Sequence, residues 1–306
     1  NKKTSNTCKL GFVSIVENGG MRAEVDIVQD IMAKLIPKII GWYINIKALF
    51  SRRAAARQAF LLFCSPRAGR VSSEQALFLD PAKYETVTTS KGKKIQVYRW
   101  QGGGPKVLLI HGWESNSYRW FRLIEDLQKN DYDIIAFDGP AHGYTDGRIF
   151  NVPTYASYLE LISKRYTPSY HIGHSVGGLT CLFHYNKYRP EHLSKMVVLG
   201  APSELSEIMK DYQAILGLSS RVMQALEELV KTEFGFSFSA FSGAAFAKAV
   251  TIPGLIIHDT YDEIAPVTAS RAIHAQWSKS TYIETQGFGH SLYQDDVRKA
   301  ILRFID

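Results

Sequence analysis

The chain has 306 residues, 45% hydrophobic and 21% charged, and a formal net charge of +7. A chain of that length and composition buries roughly three quarters of its unfolded surface, which excludes intrinsic disorder and any need for disulfides or metal to hold the fold. Its three cysteines, Cys8, Cys64 and Cys181, make no C-x-x-C pair, so neither a disulfide framework nor a zinc ribbon is expected.

The positive charge is concentrated at one end. Residues 1–80 carry twelve Lys/Arg against six Asp/Glu, whereas residues 81–306 carry twenty-four against twenty-three. The body is therefore near neutral, and no helix-turn-helix, RRM or zinc-finger pattern accompanies the basic end, so nucleic acid is not an expected partner. Residues 1–20 are polar and lack both an apolar h-region and a small-x-small cleavage site, which reads as no signal peptide. Met21 is the first methionine, so residues 1–20 are expected to be a non-native or disordered leader, and the expected location is the cytoplasm.

Residues 21–83 form an N-terminal helical segment in this reading. Ile27, Ile31, Leu35, Ile39, Trp42, Ile46 and Leu49 recur every three or four residues, which predicts an amphipathic helix, with Asp30, Lys34, Lys38 and Asn45 elsewhere on it. Pro37 and Gly41 are expected to kink or break it. The uncharged run from Ile39 to Ile46 is far short of the roughly 20 residues a membrane span needs. Two readings of the apolar stripe follow: packing on the main body, or peripheral membrane contact through residues 27–57, with Lys34, Lys38, Lys47, Arg52, Arg53 and Arg57 near anionic headgroups. Ser65 to Ser73 reads as a linker, followed by a short helix near Glu74–Leu79.

From residue 84 the pattern alternates. Tyr84–Thr89 and Ile95–Trp100 predict an antiparallel hairpin, and apolar runs follow at Val107–Ile110, Ile134–Phe137, Tyr170–Ile172, Met196–Leu199 and Leu255–Ile257. Helical segments near Tyr118–Gln128, Tyr155–Arg165 and Leu179–Tyr188 separate most of them, which predicts an α/β fold with a mostly parallel central sheet flanked by helices. Gly102-Gly103-Gly104 precedes a strand, whereas a phosphate-binding loop follows one, so it is read as a flexible turn.

The run Gly173-His174-Ser175-Val176-Gly177 sits between a predicted strand and a predicted helix. A serine hydroxyl is a weak nucleophile at neutral pH and needs to be held exposed beside a base, which a sharp strand-to-helix turn does. The two glycines let the backbone pass closely there, and the helix beginning after Ser175 points its positive end at a developing oxyanion.

Four separated motifs, His111-Gly112-Trp113, Phe137-Asp138-Gly139-Pro140-Ala141-His142-Gly143, the turn at Ser175, and His258 to Pro266 followed by Gly289-His290, resemble those of the α/β-hydrolase superfamily. Within it the chain is most similar to capped serine esterases and lysophospholipase-like enzymes, over roughly residues 84–306. The resemblance implies an α/β-hydrolase core over residues 84–202 and 251–306, a helical cap inserted at 203–250, and the extra N-terminal segment outside the core.

The resemblance also implies site residues. His290 stands where the family carries its base, and the order Ser175, Asp262, His290 is that of the fold. Asp262 matches the family's H-G-x-x-D-x-x-V-P pattern, with Asp259 in place of Gly and Ala265 in place of Val, so Asp259, Glu263 and Glu204 stay open as alternative acids. His174 is expected to be structural. The backbone N–H groups of Trp113 and Val176 are implied as the oxyanion donors, and the Trp113 ring either shapes the acyl pocket or packs in the core. Phe234, Phe236, Phe238, Phe241 and Phe246 either attach the cap to the core or line an apolar substrate pocket.

The expected function is hydrolysis of short- to medium-chain carboxylic esters through an acyl-enzyme, the partner being a small hydrophobic ester. Thioesterase, monoacylglycerol lipase or lysophospholipase, and acyltransferase share that machinery, and a non-catalytic ligand sensor is a reading of a different class. Ser175 disfavours dehalogenases and epoxide hydrolases of this fold, which use Asp as nucleophile. No cofactor or metal is expected, since the histidines lack ligand spacing.

Overall fold

A computed structural model describes Met32 and residues 35–306. The expected start at Met21, the leader 1–20 and the helix positions Ile27, Ile31 and Lys34 lie outside the described residues. The chain divides into two compact units, one made of the chain up to Ala59 with Met209–Leu229, the other of Phe60–Ile208 with Val230–Asp306. The segment 203–250, read from sequence as one cap, is thus shared between them.

The larger unit is built on one eight-stranded sheet: β1 (Lys83–Thr88), β2 (Lys94–Trp100), β3 (Lys106–Ile110), β4 (Asp133–Phe137), β5 (Tyr170–His174), β6 (Lys195–Leu199), β7 (Gly254–Asp259) and β8 (Ser280–Thr285), in the order β1-β2-β4-β3-β5-β6-β7-β8. Strand β2 pairs antiparallel with both β1 and β4, and all remaining pairs are parallel. The runs predicted from sequence are strands β1 to β7. Every residue of β4 and β7 is buried, as expected of strands covered on both faces by crossover helices.

Helices α3 (Ser73–Leu79), α4 (Phe121–Lys129), α5 (Val152–Tyr166), α6 (Val176–Tyr188), α9 (Gly243–Ala247), α10 (Val267–Gln276) and α11 (Asp295–Ile305) lie in this unit. Local chemistry sets their starts. Ser72 and Gln75 form a reciprocal capping box on α3, and the Asn151 side chain accepts from Thr154 N–H at the start of α5. The glycine triplet is more than a flexible turn. Gly104 N–H donates to the Asp131 carbonyl, and a Cβ on Gly102 would stand 2.4 Å from the Tyr132 carbonyl oxygen, so the backbones meet too closely for a side chain.

The phenylalanines after α8 (Ser220–Phe234) divide by burial. Phe241 and Phe246 are buried against Phe183 of α6, Phe238 is buried, and Phe234 and Phe236 are half-buried and stack on each other.

In the smaller unit, helix α1 is continuous over 35–50 and α2 covers Arg52–Cys64, of which the part up to Ala59 belongs here. Neither Pro37 nor Gly41 breaks α1, so of the kink or break expected from sequence the break does not occur. Gly41 serves close approach instead, because a Cβ there would lie 1.8 Å from the Leu216 carbonyl oxygen at the end of α7 (Leu205–Leu216). Asn45 fixes the contact, donating to Gly217 O at 2.8 Å and accepting from Ser219 N–H at 2.8 Å. The buried stripe of α1 is Gly41, Ile44 and Ala48. The stripe read from sequence as either packing on the main body or meeting a membrane is the other one: Leu35, Ile39, Trp42 and Leu49 are exposed and Ile46 is half-buried. Small residues win the inner face because the helix backbones come that close. Among the described residues no helix is long and apolar enough to cross a membrane.

Candidate active site

Ser175 occupies the turn between β5 and α6 with φ 54° and ψ −127°, a left-handed backbone that costs a non-glycine residue on the order of 1–3 kcal/mol. The neighbouring glycines make the turn possible. A Cβ on Gly173 would stand 2.6 Å from the Gly177 carbonyl oxygen, and one on Gly177 would stand 2.3 Å from the Ile110 carbonyl oxygen at the end of β3.

Ser175 Oγ lies 3.0 Å from His290 Nε2, and His290 Nδ1 lies 2.7 Å from Asp262 Oδ2. The loop after β7 supplies Asp262 and the loop after β8 supplies His290, both at the carboxyl edge of the sheet where β5 delivers the serine. The Asp262 side chain is fully buried and the His290 side chain is 19% exposed. Burial pushes the Asp262 carboxyl up, but hydrogen bonds from His258, His290 and the Ala265 and Ile264 N–H groups outweigh it and hold the group well below the usual carboxylate range. An ionised carboxylate only accepts, so His290 carries its proton on Nδ1 and leaves Nε2 free to accept from the serine hydroxyl.

The other candidate acids lie elsewhere in the hydrogen-bond network. Asp259 accepts from Tyr261 N–H, Thr285 Oγ1 and Phe288 N–H, which ties the β7 and β8 loops together. Glu204 accepts from Ser203 and Ser242 hydroxyls, and Glu263 is exposed.

Three further residues position this line: His174, expected from sequence to be structural, and His258 and Arg119, to which the sequence reading gave no role. His258 Nε2 faces Asp262 Oδ2 at 3.2 Å and the Ala265 carbonyl at 2.9 Å, and its Nδ1 accepts from Ser270 Oγ at 2.6 Å. His174 donates from Nε2 to the His290 carbonyl at 2.8 Å, and burial holds its imidazole far below the usual histidine range, hence neutral. Arg119, buried at the start of α4's approach turn, donates to the Ser291 carbonyl at 2.8 Å. His258 sits inside a recognisable motif, but nothing local to Arg119 signals a partner 172 residues away.

The loop bearing Trp113, one of the two implied oxyanion donors, approaches Ser175. A Cβ on Gly112 would stand 3.0 Å from Ser175 Cβ, which places the next residue, Trp113, beside the serine. Val176 is the first residue of α6, so its N–H has no partner within the helix. The Trp113 ring packs edge-on against His142 and Phe150 and is half-buried.

Two neutral histidines shape that loop. His111 Nε2 accepts from Gly139 N–H at 2.8 Å and Nδ1 donates to Gly112 O; His142 Nε2 accepts from Glu114 N–H at 3.0 Å and Nδ1 donates to Pro140 O. Burial lowers both to about 4. Each is therefore protonated in the unfolded chain, near the usual 6.5, before it is protonated in the fold. Stability is fully present above that value and is lost as pH falls from it toward 4. Between pH 7 and 5 each histidine is expected to cost about 2 kcal/mol, read as a drop in the thermal midpoint. A midpoint unchanged over that range contradicts their neutral, buried state.

The fold and this site define the class: the chain has the α/β-hydrolase fold. Residues 105–226 match the family model described as alpha/beta hydrolase fold. The chain is similar to a non-heme haloperoxidase of Rhodococcus erythropolis, 23% identical over 72% of this chain and 98% of that protein. It is also similar to a pimeloyl-[acyl-carrier protein] methyl ester esterase of Vibrio vulnificus, 25% identical over 46% of this chain and 52% of that protein, so the match spans about half of that relative. Among solved structures, an esterase from Exiguobacterium antarcticum superposes with a TM-score of 0.58 at 16% identity, covering 73% of this chain and 99% of that one, a likeness of fold.

Proposed function

We propose that this protein is a serine hydrolase that cleaves short- to medium-chain carboxylic esters through an acyl-enzyme. The observation that carries the reading is the hydrogen-bonded line from Ser175 Oγ through His290 to the buried carboxylate of Asp262. In the proposed reaction Ser175 Oγ attacks the ester carbonyl carbon while its proton passes to His290 Nε2. The carbonyl oxygen takes up the negative charge against the Trp113 and Val176 N–H groups, each worth about 3 kcal/mol in such a hole. His290 then protonates the leaving alcohol, the acyl group stays on Ser175, and a water activated by the same imidazole releases the acid. Asp262 holds the tautomer and stabilises the imidazolium throughout.

Fluorophosphonate labelling followed by intact mass tests this directly. One adduct per chain at Ser175, absent from Ser175→Ala, is the expected result. A folded protein that neither labels nor cleaves p-nitrophenyl acyl esters of any chain length would be the ligand sensor instead. A chain-length series, run beside acyl thioesters and monoacylglycerols, separates the esterase from enzymes with the same machinery.

A further inference from the structure

Helix α1 carries two apolar stripes where one suffices for packing. The inner stripe of Gly41, Ile44 and Ala48 is buried within the smaller unit. The outer one, Leu35, Ile39, Trp42, Tyr43, Leu49 and Phe50, recurs at helical spacing on the opposite side and stands in solvent, with Trp42 66% and Phe50 87% exposed. Exposed apolar residues scattered singly are ordinary, but six on one helix face form a patch of the kind that marks an interaction surface.

Charge identifies what it meets. From Ile31 to Ser73 the sequence holds eight Lys/Arg and no Asp or Glu. Lys38 and Lys47 flank the stripe, and Arg52, Arg53 and Arg57 are exposed on the helix that follows at once.

We propose that this face of α1 docks the protein on the headgroup layer of an anionic phospholipid bilayer. An apolar helix face bordered by cations, with Trp and Tyr at its boundary, lies in the interface plane, its apolar side chains among the acyl chains and its cations among the headgroup phosphates. Lys38 Nζ donates to the Ala214 carbonyl and Lys47 Nζ to Gln58 Oε1, so Arg52, Arg53 and Arg57 are the cations offered to the headgroups.

Co-sedimentation of the full chain with vesicles is the test, using phosphatidylcholine alone and phosphatidylcholine mixed equally with phosphatidylglycerol. Binding to the mixed vesicles that weakens in high salt is expected. Replacing Arg52, Arg53 and Arg57 together by Gln should lower partitioning roughly 100-fold, at roughly fivefold per cation. Trp42→Glu, at an exposed position, should lower it at least tenfold while leaving thermal unfolding and hydrolysis of a soluble ester unchanged. No binding to the anionic vesicles overturns the proposal, as does equal binding to both compositions that the arginine variant leaves intact. A dimer in sedimentation velocity that Trp42→Glu dissociates, without vesicle binding, assigns the face to a second copy and overturns it too.

Discussion

Replacing Ser175 by glycine is expected to abolish ester hydrolysis while making the protein more stable. Without Oγ there is no nucleophile, and losses on the order of 10⁶-fold in kcat are typical of removing the serine from such a line. The stability gain has a separate cause. Ser175 is held at φ 54°, where glycine pays no Cβ penalty, so relief of on the order of 1–3 kcal/mol exceeds the 0.5–1 kcal/mol of extra backbone entropy glycine loses. The net gain is about 1 kcal/mol, roughly 2 °C in the thermal midpoint. Ser175→Ala is expected to lose activity equally but to keep the strain and the wild-type midpoint. Retention of more than a trace of turnover in either variant removes Ser175 from the chemistry. Equal midpoints for the two variants remove the strain argument and leave the nucleophile in place.

Asp262→Asn is expected to lower kcat about 10⁴-fold. The wild-type Oδ1 accepts from Ile264 and Ala265 N–H at 2.8 and 2.9 Å, while Oδ2 accepts from both imidazoles. An asparagine that keeps its oxygen on the two backbone donors turns its NH₂ toward His290. The imidazole must then move its proton to Nε2, where it no longer accepts from Ser175. Loss of the charge-assisted bonds should also cost about 1–3 kcal/mol of stability. Asp259→Asn is the matched control, because that carboxylate bonds to the β7 and β8 loops rather than to His290. Its kcat should stay within tenfold of wild type. An Asp262→Asn enzyme within tenfold of wild type, or an Asp259→Asn enzyme far below it, would transfer the acid's role.

Much of the larger unit was legible from local pattern. The strand runs from Val107 to Ile257 are short, apolar and bounded by turn residues, so their existence follows from composition within a few residues. The turn at Ser175 was legible too, since the glycines on either side are there for contacts that any side chain would block. The N-terminal helix was harder. Its largest apolar residues suggested a buried stripe, yet Gly41, Ile44 and Ala48 form it, because how closely α7 approaches α1 is not written in the periodicity of α1.

By itself the sequence determined an alternating α/β chain, a strand-to-helix turn carrying Ser175, and the order in which Ser175, Asp262 and His290 appear. Only the tertiary structure decided which of four carboxylates meets His290, and that His174, His258 and Arg119 position that histidine and its acid. The reason is separation along the chain. Helices, strands and tight turns are settled by neighbours a few residues apart, whereas Ser175 and His290 are 115 residues apart and meet only because β5, β7 and β8 are brought side by side in one sheet.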